Sequence, residues 1–512
     1  MSGGQHSTRQ HSTGQHSPGQ RRSIGATTLV AAVGADVAGA GFRSLAAGVA
    51  AAIERGDLPV GARLPSERAL STEAGCSRGT VVAAYEVLRG QGLVLRRTGS
   101  GTWVRRPPDG HVAPAPSVGP EEHAAAVRAR RLTARVLGPG PDDIIDLGLS
   151  ALAEPWELDD AMLRVTAADL AAVSPRHGYA PSGIDELRIA VADRHRARGL
   201  VTDAEQVTIT HGAQHALALA VDLLVHPGDV VVVEQPTFPG AIDVLARAGA
   251  RLVTVPVDAG GTDVDSLARV LERGDVRAVY LVPTCNSATG ATTTPARRRD
   301  IAALVDAAGC WLIEDEALAP LHHDGPPPSV SSQVRAGRTV TIGSLAKEVW
   351  AGVRVGWIRT DATTTEHLAR LRAALDLGAS VPGQLVALRC LDGVDDRTAR
   401  LRTELSHRAD VLCELLETQL PEWSWTRPSG GLSLWCRLPV AANRSSDGDS
   451  LARRAPDWGV SVLPGSSAAV DQSCDGFVRL SFAAPADQLR NGVERLAAAW
   501  AADHDARRGA PS

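Results

Sequence analysis

Lysine is almost missing from this 512-residue chain. Of its 53 basic residues only Lys347 is a lysine; the others are arginine. Arginine stays charged and cannot act as a free amine, so Lys347 is the one side chain that can shed a proton on desolvation and attack a carbonyl to form a Schiff base. Paired cysteines are missing too. Cys76, Cys285, Cys310, Cys390, Cys413, Cys436 and Cys474 include no CxxC pair and no ligand-like spacing. That argues against a disulfide framework and a zinc site, so no metal is expected, and it fits a reducing compartment. Long uncharged apolar runs are missing as well. The Ala/Val-rich stretch 26–41 is broken by Asp36 and several glycines, and the polar "MSGGQHSTRQHSTGQHSPGQRRS" before it is no secretory signal. A soluble, cytoplasmic chain with no membrane partner is expected.

What is present suffices for two or three domains with sizeable cores: 44% of the residues are hydrophobic. The net charge of −5 is unevenly spread. Residues 41–106 hold ten arginines and five acids, so this segment is basic on an acidic body. Such asymmetry points to a small nucleic-acid-binding module. Ahead of it, residues 1–40 read as a disordered tail in which "QHS" recurs every five residues with no apolar face. Behind it, 107–144 reads as a Pro-rich linker with a possible helix at 121–137.

Within the basic segment, Leu45, Val49 and Ile53 form a helical stripe. Ser66 can cap a helix that runs to about Ala74, where Gly75 breaks it. Ser77 can cap a second helix that buries Val81, Tyr85 and Leu88. Two short helices and a tight turn make a helix-turn-helix, and "LVLRRTGSGTWV" reads as a two-stranded wing. The motifs "LPSER", "SRGTV", "AYEVLRGQGLV" and "GSGTWV", in this order, resemble the winged helix-turn-helix of the GntR family. The resemblance implies that Arg68, Ser77, Arg78, Gly79 and Thr80 face DNA. Arg78 is the best candidate for a base edge, because an arginine at the start of a recognition helix can bond guanine bidentately. A solvated Arg68 and Arg78, or an internal ion pair, is the rival reading.

From residue 145 to the end, continuous apolar runs (229–236, 250–257, 276–283, 310–316, 339–344) alternate with helical patterns (212–225, 296–309). This predicts a mostly parallel α/β sheet covered on both faces. A long helix at 395–420 leads into a smaller α+β subdomain, about 395–505, with strands at 430–438 and 476–483.

Lysine chemistry with pyridoxal 5'-phosphate needs a phosphate cup, a carboxylate for the pyridine nitrogen, a side chain stacked on the ring and a cation for a carboxylate. Gly212, Ala213 and Gln214 end a strand and open a helix, where backbone amides suit phosphate. Ser344 and Arg354 flank Lys347 and can close the cup. Asp315 ends an apolar strand, Phe238 is one of only four phenylalanines, and Arg479 lies in a strand near the end.

"HGYAPSGIDELR", "THGAQHAL", "PGDVVVVEQPTFPG", "SLAKEVWAGVRVGW" and "FVRLSFA" occur in the order seen in fold-type I aminotransferases, which this part resembles. Joined to the GntR-like head, the whole resembles the MocR-type regulators. The resemblance implies Lys347 as the Schiff-base residue, Asp315 as the pyridine partner and Arg479 as the carboxylate clamp. It also implies a homodimer that binds DNA and responds to the cofactor or to an amino compound.

The chain departs from the family pattern at the ring hydroxyl. Ser287 stands where the family places an asparagine, with Asn286 one residue away as a candidate substitute. Ala317 and Leu318 stand where it places a tyrosine, and Ala346 replaces a common serine. These departures favour a regulator over an active aminotransferase with a DNA-binding appendage, and the sole lysine, sitting in the motif, argues against a scaffold with a dead site.

Overall fold

The computed structural model describes residues 24–33, 42–54, 58, 62–90, 93–97, 101–104, 144–173, 177–335, 337–439 and 448–508. The possible helix at 121–137, the QHS repeats and the wing tip lie outside the described residues. Contacts divide the chain into two units, before and after the boundary between Gly119 and Pro120.

The first unit holds helices α1 (Ala26–Val33), α2 (Phe42–Glu54), α3 (Glu67–Glu73) and α4 (Arg78–Gly90), then the antiparallel pair β1 (Val94–Arg97) and β2 (Gly101–Val104). Ser66 caps α3 through the Ala69 amide, and the Ser77 hydroxyl accepts from the Thr80 amide at the start of α4. Leu45, Val49, Leu70, Val81 and Leu88 share one core, and the buried Tyr85 hydroxyl donates to the Pro65 carbonyl at 3.0 Å.

The expectation of a tail over 1–40 needs correction at α1. Leu29 is fully buried in that core. Gly48 lets the helix approach α2, because a Cβ there would meet Val33 Cγ1 at 2.3 Å. Tertiary burial overrides the low-complexity look of the segment.

The second unit is built on an eight-stranded sheet. Its strands are β4 (Val207–Thr210), β5 (Val230–Gln235), β6 (Arg251–Asp258), β7 (Gly261–Thr262), β8 (Val276–Leu281), β9 (Trp311–Asp315), β10 (Thr339–Ser344) and β11 (Gly356–Arg359). Their order is β4-β11-β10-β9-β8-β5-β6-β7. The five long apolar runs form β5, β6, β8, β9 and β10, which pair in parallel, while β11 runs antiparallel to both its neighbours. Helices α5 (Asp185–Ala197), α6 (Ala213–Leu224), α7 (Pro239–Arg247), α8 (Pro295–Ala308) and α9 (Ala362–Leu375) accompany the sheet. The parallel arrangement gathers the ends of β5, β8, β9 and β10 on one edge, where open α/β sheets bind ligands.

Helices α10 (Val394–Gln419) and α11 (Ala486–Arg508) cover a four-stranded antiparallel sheet. It is formed by β12 (Ser424–Trp425), β13 (Ser433–Arg437), β15 (Leu463–Pro464) and β16 (Phe477–Ser481). The chain enters this unit through β3 (Ile145–Asp146), which pairs with β14 (Val460–Ser461). Among the described residues no helix is long and apolar enough to cross a membrane.

Truncating a fully buried leucine removes transfer energy and leaves a cavity, which typically costs about 2–5 kcal/mol. Leu29→Ala should lower the opening free energy of α2 and α4 by that amount, read by amide hydrogen exchange. Unchanged protection would mean that α1 adds nothing to this core.

Candidate functional site

Lys347 follows β10 by three residues and is half-buried. Its Nζ donates to the Ser150 carbonyl at 2.5 Å. Burial pushes its pKa down to about 8, the Arg479 guanidinium pushes the same way, and Asp315 opposes both. The Asp315 carboxyl is pushed up by burial. The Ala317 amide, the Tyr280 hydroxyl and Lys347 hold it back towards its charged form. The two hydrogen bonds are both 2.9 Å, from Tyr280 to Oδ2 and from Ala317 to Oδ1. Arg479, buried on β16, donates to the Ser287 carbonyl at 3.2 Å and to the Gly148 carbonyl at 2.8 Å. The structure therefore brings together Lys347, Asp315, Arg479 and Ser287, which are far apart in sequence.

The phosphate-cup candidates also converge. Gly212 has φ +89°, a conformation that favours glycine, and it caps α6, so the Ala213 and Gln214 amides stand at the positive end of the helix. Arg354 lies over Gly212 and donates to the His211 carbonyl at 2.6 Å. Ser344 is buried at the end of β10, opposite Gly356, which itself pairs with Thr210. The Gln214 side chain bonds the Gly240 carbonyl, two residues after Phe238, which ties the stacking candidate to the cup.

Behind this edge the residue following each of two site residues is braced by α5. Glu348, next to Lys347, is buried and gripped at two points by Arg194, at 2.6 and 2.8 Å. Glu316, next to Asp315, is buried and gripped by Arg198 at 3.0 and 3.2 Å. Such forked pairs fix geometry as well as charge.

Sequence reasoning missed Tyr280, the carbonyls of Gly148 and Ser150, and a cluster of His211, His215 and Asp376. Both imidazole Nε2 atoms lie 3.5 Å from Asp376 Oδ2. Their ligand atoms are close enough together for a metal ion, but the surroundings disfavour one. His215 Nδ1 accepts the His211 amide, which leaves the ring proton on Nε2. Asp376 is already held at two points by Arg372. Burial and the Arg372 guanidinium lower the pKa of both histidines, His215 to about 4, with Arg354 adding to the effect. Two guanidiniums against one carboxylate make the cluster a poor seat for a cation. The signal available in the sequence was a histidine four residues before another, flanking Gly212.

Asn286 is no substitute at the ring-hydroxyl position. Its amide donates to Glu234 and to the Pro236 carbonyl, and its oxygen accepts from Ala288 and Thr289. Ser287 is buried, and its Oγ finds no partner among the described residues. Neither Ala317 nor Leu318 can supply a hydroxyl.

In the first unit, Arg78 opens α4 with a largely exposed side chain that reaches Glu67 Oε2 at 3.2 Å. An exposed pair of this kind is weak. The Arg68 side of α3 and Gly79 are exposed as well. Ser77 and Thr80 hydroxyls bond each other at 2.9 Å, so both serve the cap.

The family model for class I and II aminotransferases matches residues 142–496, and that for the GntR family of bacterial regulatory proteins matches residues 43–104. The uncharacterized HTH-type transcriptional regulator YdcR of Escherichia coli is 28% identical over 86% of this chain and 95% of its own. The HTH-type pyridoxine biosynthesis transcriptional regulator PdxR of Corynebacterium glutamicum is 29% identical over 80% of this chain and 86% of its own. The structure of LysN, the alpha-aminoadipate aminotransferase of Thermus thermophilus complexed with N-(5'-phosphopyridoxyl)-L-leucine, is 26% identical. It has a TM-score of 0.65 and covers 75% of this chain and 97% of that one.

The lowered Lys347 pKa has a testable sign. A depressed lysine pKa means that the neutral amine prevails above about 8 instead of only above the ordinary value of 10.5. Acetylation of Lys347, followed by peptide mapping to separate it from the terminal amine, should half-titrate near pH 8. A midpoint above pH 10 would show a solvated, ordinary amine.

Proposed function

We propose that this chain, which belongs to the class I and II aminotransferase family, is a DNA-binding transcription regulator that holds pyridoxal 5'-phosphate on Lys347. It reads the level of the cofactor or of an amino compound. The observation that carries the reading is the coincidence of the only lysine with a desolvated position between Asp315 and Arg479. The residues present fit the cofactor. The Gly212–Gln214 amides, Ser344 and Arg354 would hold its phosphate, Asp315 its ring nitrogen, and Ser287, with its unpartnered buried hydroxyl, its ring oxygen. Phe238 would stack on the ring. When bound, the cofactor supplies an electrophilic carbonyl and an electron sink.

The protein's own part is to orient and to hold protons. Lys347 Nζ gives up its proton far more readily than an ordinary lysine, Asp315 keeps a negative charge at the ring nitrogen, and Arg479 receives the carboxylate of an amino compound. With one serine in place of the family's asparagine and tyrosine, the ring hydroxyl is loosely held. That weakens rapid turnover more than binding, so the aminotransferase alternative is disfavoured. Full-length matches to relatives named HTH-type transcriptional regulators support the same choice. A homodimer gives two reading heads, and the exposed Tyr179, Leu375 and Leu377 near the Ala180–Gly378 bridge offer apolar surface for a second copy. In the head, Arg78 would read a base edge, with Arg68, Ser77, Gly79 and Thr80 beside it on the DNA face.

Borohydride reduction of the protein mixed with pyridoxal 5'-phosphate should attach one pyridoxyl group per chain, on the peptide containing Lys347. Lys347→Ala should attach none and lose the visible absorption. A wild type without any visible band overturns the reading.

For the head, Arg78→Ala should cost about 1–3 kcal/mol of specific DNA binding. Wild-type affinity should fall steeply with salt. A salt-independent affinity, or an unchanged one in the variant, would remove Arg78 from the interface.

A further inference from the structure

Only three tyrosines occur in the chain, and one of them, Tyr280, is completely buried in the middle of the parallel sheet. It lies on β8 opposite Ile313 of β9, so Asp315, two residues further along β9, is its diagonal neighbour on the same face. The Tyr280 hydroxyl donates to Asp315 Oδ2 at 2.9 Å, while the Ala317 amide fixes Oδ1 at the same distance.

We propose that Tyr280 is a positioning residue for the cofactor. It locks the plane of the Asp315 carboxylate and stabilises its charge, so that the carboxylate can hold a protonated pyridine nitrogen. The inference rests on the reading that pyridoxal 5'-phosphate binds at Lys347.

The physical need for such a residue follows from burial. A carboxylate taken out of water tends to regain its proton, and the Asp315 carboxyl is pushed up for this reason. A hydrogen bond donated to the charged form opposes that tendency. Tyr280 can serve only as donor here. Its own pKa is raised well above the ordinary value by burial and then by the Asp315 charge, so it stays protonated. The family pattern places a tyrosine two or three residues after the aspartate, and this chain has Ala317 and Leu318 there. Tyr280 does not replace that ring-hydroxyl contact; it enters from the neighbouring strand and bonds the carboxylate.

Tyr280→Phe removes one oxygen and keeps the ring that packs in the core with Val233 and Ile313, so the fold should survive; circular dichroism and thermal melting check that. A hydrogen bond to a charged group is worth enough that cofactor affinity should fall roughly tenfold. A less protonated ring nitrogen withdraws fewer electrons from the lysine-bound nitrogen. The pH midpoint of the visible absorption should therefore move upward.

The same substitution in an Asp315→Asn background should change neither quantity further, because the charge that Tyr280 serves is already gone. A folded Tyr280→Phe protein with wild-type affinity and midpoint overturns the proposal alone. So does an equal shift in the presence and absence of the Asp315 carboxylate. A wild type that develops no visible band overturns the cofactor reading together with the proposal.

Discussion

The second unit is organised around two opposed demands on neighbouring charges. In the proposed cofactor site, desolvation must loosen the proton on an amine, and the same desolvation must not discharge the carboxylate beside it. Lys347 meets the first demand because it is buried next to Arg479. Asp315 meets the second through Tyr280, the Ala317 amide and Lys347 itself. The braces behind them, Arg194 on Glu348 and Arg198 on Glu316, are the kind of buried pair whose value lies in fixing geometry more than in net stability. Each glutamate directly follows a site residue, so Arg194 of α5 and Arg198 at its end anchor the chain beside both side chains.

Much of this was legible in the sequence because it is carried by local signals. The five apolar runs gave the parallel strands, and Gly212 marked the start of α6. Ser66 and Ser77 marked the ends of α3 and α4. Lys347 stood out by composition alone. The short strand β11 escaped because four residues carry too little periodicity. Helix α1 escaped because Leu29, its buried anchor among the described residues, matters through α2 and α3.

The interactions that escaped inside the site span long stretches of chain. Tyr280 and Asp315 are 35 residues apart, Ser287 and Arg479 are 192 apart, and Ser150 and Lys347 are 197 apart. Each depends on strand register or on a returning segment, neither of which leaves a mark in the neighbouring residues. Asn286 teaches the opposite lesson. Its residue type suggested a cofactor contact, but a shift of one position turned its amide to Glu234 and the Pro236 carbonyl.

The entry of the chain into its second unit also has a mechanical side. β3 pairs with β14, the Leu147 amide bonds the Ser461 carbonyl, the Ser481 amide bonds the Leu147 carbonyl, and the next carbonyls are gripped by Arg479 and Lys347. From Ile145 to Ser150 is about 17 Å at most, at roughly 3.3 Å per extended residue. Within that distance the segment is held by β14, by β16 and by the side chains of Arg479 and Lys347. The segment that carries the chain into the sheet is thereby pinned by two side chains of the site, so freeing either one loosens it.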